Sequence, residues 1–297
     1  MNKIEEVSRR PSKTGRRIAL SKFVFIVVII LSAFTAIPLL SILFELIAKG
    51  WRQFNGALFT EVAPTSMEAM FARQGGNVIP GGILNGITGT LTMLGLAILL
   101  SIPLGVLAGI YLAEKKDAKL ANVIRTLTDI LQGVPSIVIG IVIYMWVVKS
   151  MNNYSALAGG IALGLMMIPM IVRSTEESLR MIPDSLKEAG LALGGSYTNV
   201  MFKVILPSAF GGLFTGILLS ISRVMGETAP LLVTALGANY VHGDITKPMS
   251  AVSLLIWEFY NDPNLADLVW SSSLLLLLLI LGMNLLAKMI ASRWRIQ

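Results

Sequence analysis

The sequence predicts an all-α integral membrane protein of six transmembrane helices with both termini in the cytoplasm. Three observations carry this prediction. Hydrophobic residues make up 55% of the 297 residues and charged residues only 14%, against about a quarter charged in an ordinary soluble domain. The mean hydropathy is +0.75, and the apolar residues gather into six long runs. The lysines and arginines between those runs fall mostly on one side.

A membrane-crossing helix needs about 20 mostly apolar residues. The first candidate is Phe23–Phe44, with Pro38 inside it. The second is about Thr90–Ala113 with a preceding turn or two, the third Ile130–Val148, and the fourth about Ala156–Val172. The fifth begins near Val204 and runs to about Ala235, interrupted by Arg223 and Glu227. The sixth is Leu268–Ala287. The first run is too long for a signal-peptide core, and no A-x-A site follows it, so it reads as a retained signal anchor. Arg9-Arg10 is followed by Pro-Ser-Lys, not by the apolar patch of a twin-arginine signal. With the N-terminus inside, inner segments hold eighteen of the 24 basic residues and outer segments five, and Arg223 alone lies within a span. That bias sets the orientation. The expected organisation is a basic cytoplasmic tail, residues 1–22, and one transmembrane domain, residues 23–297, with a cytoplasmic loop at 174–203.

The net charge of +7 belongs to this topology signal, so no nucleic-acid partner is expected; the bilayer is the expected surroundings. The absence of cysteine excludes disulfides, thiol catalysis and thiolate metal sites. His242, the only histidine, cannot form a metal site alone and is expected to be a solvated loop residue. No G-x-x-x-x-G-K-[ST] sequence is present, so P-loop binding of ATP is excluded. The long outer segments Lys49–Pro80 and Gly237–Asp267 are rich in aromatics, which serve as interface anchors or as a platform for an extracytoplasmic partner. Within the second, Met249–Tyr260 is predicted to form an amphipathic helix on the outer surface.

The inner loop is the most informative segment. Ile182, Leu186, Ala189 and Leu193 recur at helical spacing. Pro183 and Asp184 suit a helix N-terminus, and Gly194-Gly195 suits its end. A second helix is expected from about Tyr197 into the membrane through Pro207. A short helix joined rigidly to two spans could turn them as a unit. Glu188, Ala189 and Gly190, then Gly194 after three intervening residues, then Val204-Ile205-Leu206-Pro207 after nine more, resemble the EAA loop of bacterial ABC-importer permeases. Gly190 stands where that motif has its second Ala, and Val204 where it has Ile. The resemblance implies that Asp184, Leu186, Glu188, Ala189, Gly190, Gly194, Leu206 and Pro207 form the coupling surface for a separate ATPase.

Arg223 and Glu227 are four residues apart, which on a continuous helix places them on one face. A charge within a span costs at least about 2.5–3.5 kcal/mol on insertion scales and marks a function by default. The pair reads as a structural ion pair or as an anion path. In the second case the guanidinium fork grips a tetrahedral oxyanion, and Glu227 neutralises it when the path is empty. Ile102–Glu114, Gly133–Ile141 and the segment RVMGETAPLLVTALG at Arg223–Gly237 are similar to phosphate importer permeases of the PstA type. That resemblance implies the type I importer architecture and assigns Arg223, Glu227 and Arg173 to the substrate path. It also implies as partners a homologous PstC-type permease, two ATPase subunits and an extracytoplasmic phosphate-binding protein. No cofactor is expected on this chain, ATP being used by the partners. Another oxyanion importer, for molybdate or sulfate, and an ion-coupled secondary transporter remain as alternatives. Small-residue pairs at Gly105/Gly109, Gly160/Gly164 and Gly212/Gly216 suit close helix packing, and Pro103, Pro135 and Pro169 suit kinks.

Overall fold

A computed structural model describes residues 11–293, and every regular element among them is helical. The chain divides into two units, Met1–Lys49 and Gly50–Gln297.

The first unit is built on α1, Pro11–Gly50, a continuous helix of 40 residues that passes Pro38 without a break. At 1.5 Å per residue it is about 60 Å long, twice the hydrocarbon thickness. The first predicted span lies within it. The predicted tail is helical from Pro11 onward, and residues 1–10 lie outside the described residues.

In the second unit, a short outer helix α2 (Ser66–Gln74) opens with a capping box between Thr65 and Glu68. The Thr65 amide and hydroxyl hold the Glu68 carboxyl below its usual range. Then come α3 (Leu84–Glu114) and α4 (Lys119–Gly133). Next is α5, Ser136–Met151, which contains the π-helical turn Tyr144–Val148. The inner loop is flanked by α6 (Ala156–Arg180) and α8 (Tyr197–Val224), with α7 (Asp184–Ala192) between them. An outer helix α9 (Val252–Asn261) precedes α10 (Ala266–Arg293). Five helices are long and apolar enough to cross a membrane, and the number reaches the predicted six if the bent pair α4–α5 counts as one span.

The centre of the second unit is α6. Helices in lipid gain little from burying apolar surface against one another, so close contact depends on small residues. Each predicted small-residue pair lies on a face of α6 or against one. A Cβ on Gly105 would lie 2.6 Å from Ile171, and one on Gly109 2.5 Å from Thr175. Gly160 and Gly164 in turn meet Leu96 and Leu100 of α3. On the opposite side, a Cβ on Gly216 of α8 would lie 1.6 Å from the Ser174 hydroxyl oxygen. Met93, Ala97, Leu163, Met167, Ile171, Ile221 and Val224 fill the core between these seams.

Three expectations need correction. The third span does not start at Ile130. Residues 130–133 complete α4, and the chain then bends by 104° before α5. Pro135 disfavours helical geometry at Val134, whose ψ is 131°. Pro103 and Pro169, by contrast, sit inside unbroken helices. The fifth span ends at Val224, not near Ala235, because the chain turns at Met225-Gly226 and only Ala229–Leu232 is helical beyond. The expected amphipathic outer helix is present as α9, with its apolar face packed on the protein and Trp257 and Tyr260 exposed. Leu254, Leu255 and Phe259 are buried, Leu255 packs on Gly86, and the Val252 amide donates to the Thr90 hydroxyl at 2.9 Å. Finally, His242 is half-buried and not solvated, with a ring nitrogen 2.9 Å from the Pro248 carbonyl oxygen and its ring against Tyr240.

Candidate functional site

Two regions carry the predicted site residues: the α6–α8 face bearing Arg223 and Arg173, and the inner loop bearing α7. Arg223 occupies the last turn of α8 and is exposed. Its cation suits a helix C-terminus, where carbonyl dipoles point. Glu227 lies beyond that terminus, so the expected sharing of one helical face is not realised, and the two residues form no ion pair. The Glu227 amide donates to the Val224 carbonyl, and its own carbonyl accepts from the Ser253 hydroxyl at 2.8 Å. This pins the turn after α8 to α9. Arg223 instead reaches toward α6, where Nη1 lies 3.7 Å from the Met170 sulfur.

One turn inward along α6 from Met170 stands Arg173, whose guanidinium pairs with Asp129 of α4. Both partners are about half exposed, at 48% and 56%. Beside them is a buried charge cluster. Glu176, 11% exposed, receives Arg125 Nε at 3.0 Å and Arg180 Nη2 at 2.6 Å. Arg125 also donates to the carbonyls of Leu112 and Lys116, at 3.1 and 2.9 Å. This one side chain therefore joins α4 to the inner end of α3 and to α6. A cavity of about 260 Å³ lies among these groups. From Leu219, one turn inward of Arg223, a groove of about 650 Å³ follows Thr215, Gly212 and Ser208 along α8 and Ser174 and Ser178 along α6. It reaches Pro183 and Leu186 at the inner loop. Of the predicted site residues only Leu186 lines this groove; Arg173 lines the smaller cavity, and Arg223 lies one turn beyond Leu219.

Helix α7 begins at Asp184, after Pro183, and is closed by Gly194 at φ 86°, a conformation that disfavours a side chain. The Gly194 amide donates to the Leu191 carbonyl and the Gly195 amide to that of Gly190, satisfying the helix end. Gly190 faces Val200, whose methyl groups would lie 2.9 and 3.0 Å from an added Cβ. Asp184, Leu186, Glu188 and Ala189 point outward and are exposed. Leu206 packs with Leu179, Val200 and Ile205, and Pro207 follows the π-helical turn Met201–Ile205. The predicted coupling residues therefore fall into two groups: some present a surface and others shape the loop beneath it.

A family model described as binding-protein-dependent transport system inner membrane component matches residues 101–296. The phosphate transport system permease protein PstA of Yersinia pestis is 39% identical over 258 residues, which covers 86% of this chain and 84% of that protein. The chain belongs to the PstA-type permeases of this family. PstA 1 of Mycobacterium tuberculosis (strain ATCC 25618 / H37Rv) is 35% identical over 263 residues. An inward-facing MetNI methionine ABC transporter structure matches with a TM-score of 0.58 at 21% identity, covering 71% of this chain and 93% of that one. The fold is that of an importer permease, and this PstA-type chain is a multi-pass inner-membrane protein.

Other site residues are invisible to motif reading. Lys187 of α7 pairs with Glu114 at the inner end of α3, and its ammonium stands 5.0 Å from the Tyr197 ring centre. The clue in the sequence is Glu114, an acid beside Lys115 and Lys116 at an inner helix end. Asp129, Arg125 and Glu176 carry no motif; only Arg180, four residues after Glu176, hints at the cluster.

Proposed function

We propose that this chain is the PstA-type permease subunit of an ATP-driven importer of inorganic phosphate. The observation that carries this reading is the 39% identity to a phosphate permease over 84% of that protein's length. A homologous PstC-type permease completes the path, an extracytoplasmic binding protein delivers phosphate, and two ATPase subunits supply the driving force. This chain binds no cofactor and is not an enzyme.

Phosphate entering from outside meets Arg223, whose guanidinium presents a bidentate donor set and no bound counter-charge. It leaves past Arg173, where Asp129 holds the cation when phosphate is absent and an anion must displace it. The exposed side of α7, with Asp184, Leu186, Glu188 and Ala189, seats on an ATPase. Lys187–Glu114 passes its movement to α3, and the Gly190–Val200 contact passes it to α8. Switching between inward- and outward-facing states then follows the ATPase cycle.

The experiment is uptake of labelled phosphate into vesicles that hold the assembled importer, with binding protein outside and ATP supplied to the ATPase side. Accumulation that requires both supports the reading. Sulfate or molybdate carried in place of phosphate, or accumulation without ATPase subunits, contradicts it.

A further inference from the structure

The helix α4 presents three separate faces. Ala121 and Thr128 are buried, and Arg125 is bound to Glu176, so this face is held by the protein. Asn122, Thr126 and Asp129 form a polar, exposed strip. Leu120, Val123, Leu127 and Ile130 recur at spacings of three and four and form a third strip, with exposures of 56%, 53%, 54% and 57%. Such a division suits a helix with protein on one side, water on another and lipid on the third.

The bend places it there. The axis turns by 104° between α4 and α5, so α4 runs across the direction in which the chain crosses the bilayer. The crossing part, Ser136–Met151, has sixteen residues. At 1.5 Å each it covers about 24 Å, less than the roughly 30 Å hydrocarbon core. Arg125 and Asp129 tie α4 to Leu112 and Lys116 at the inner end of α3 and to Glu176 and Arg173 at that of α6, which sets α4 at the inner boundary of the bilayer. The residues of the apolar strip also differ from those of the helix seams in this chain. Those seams rest on Gly105, Gly109, Gly160, Gly164 and Gly216, whereas the strip consists of large aliphatic side chains only. That composition fits acyl chains and not a second helix at close range. Lys115, Lys116 and Lys119 stand exposed at the same inner boundary, just before and at the start of α4.

We infer that α4 is an interfacial helix seated in the inner leaflet, and that Lys115, Lys116 and Lys119 form a docking site for anionic lipid headgroups. Through Arg125 and Asp129 the helix holds Glu176 and Arg173, so leaflet composition bears on the inner end of the substrate path.

The chain contains no cysteine, which makes single-cysteine spin labelling direct. Labels at Val123→Cys, Leu127→Cys, Asn122→Cys and Thr126→Cys are compared in the assembled importer. The vesicles are phosphatidylcholine with and without phosphatidylglycerol. The inference expects Val123 and Leu127 to be relaxed by dissolved oxygen and shielded from a water-soluble nickel chelate, and Asn122 and Thr126 to reach the chelate. Labels at Val123 and Leu127 that are shielded from both agents indicate a protein cover and overturn the inference; labels there that reach the chelate also overturn it. In a second arm, a headgroup-labelled quencher lipid reports the preference for phosphatidylglycerol at Leu127→Cys. Replacing Lys115, Lys116 and Lys119 with Gln is expected to lower that preference about threefold or more. An unchanged preference overturns the lysine site, as does displacement of the labelled lipid by free inorganic phosphate.

Discussion

At the scale of single residues, the account rests on which charges are paired. Glu176 is buried and accepts from both Arg125 and Arg180, which are 27% and 39% exposed. Glu176→Gln weakens these charged hydrogen bonds and is expected to destabilise the folded chain by about 1.5–3 kcal/mol; thermal unfolding in detergent measures this, and an unchanged midpoint would show that the cluster adds nothing to folding. Arg173 and Asp129 are half exposed, so their pairing contributes little to stability. Asp129→Asn is instead expected to leave folding intact and to slow phosphate release, giving lower turnover with longer retention in a single-turnover assay. Packing makes an independent prediction. Gly216→Ala places a methyl group against Ser174 and is expected to cost about 1–3 kcal/mol. Adding Ser174→Gly, which removes both crowding atoms, should restore much of the loss.

Arg223, Glu227 and Arg173 stand out in the sequence because charge is conspicuous in or beside an apolar span. Their partners were not. Asp129 is 44 residues from Arg173 in sequence, and a lone acid in an inner segment has many possible neighbours. The Arg223–Glu227 pairing failed for a different reason. Four-residue spacing implies a shared face only if the helix continues, and it stops at Val224.

At the scale of elements, apolar length located the spans but not the breaks within them. The run from Ile130 to Val148 is uninterrupted in hydropathy, yet Pro135 divides it between two helices whose axes differ by 104°. The apolar character of residues 229–236 likewise hid the end of α8, because a buried turn and a buried helix have the same composition. The inner loop was read more accurately, since Pro183 and Gly194-Gly195 are explicit start and stop signals. Gly194 has φ 86°, so any side chain there strains the α7–α8 turn by roughly 1–2 kcal/mol. Gly194→Asp is therefore expected to leave the chain in the membrane while uncoupling ATP hydrolysis from phosphate uptake. Hydrolysis and uptake assayed on the same vesicles check this, and coupled transport at the normal ratio would remove α7 from the transmission role. Lys187→Ala and Glu114→Ala should show the same uncoupling, non-additively, because both break one contact between α7 and α3.

At the scale of the whole molecule, one groove runs along α6 and α8 from Leu219 to Pro183 and Leu186 at the inner loop. In the proposed mechanism, movement of the loop is transmitted along α6 and α8 through these packed small-residue seams. The resemblance in sequence and the likeness in fold agree on this architecture, while the assignment to phosphate rests on the relatives and on the chemistry of a free guanidinium. The most direct test is ATP-driven uptake of labelled phosphate by the assembled importer carrying Arg223→Gln. Loss of charged, bidentate hydrogen bonds worth about 1.5–3 kcal/mol should reduce uptake roughly 10- to 100-fold, with assembly and membrane insertion unchanged. Undiminished phosphate uptake by that variant would contradict the account.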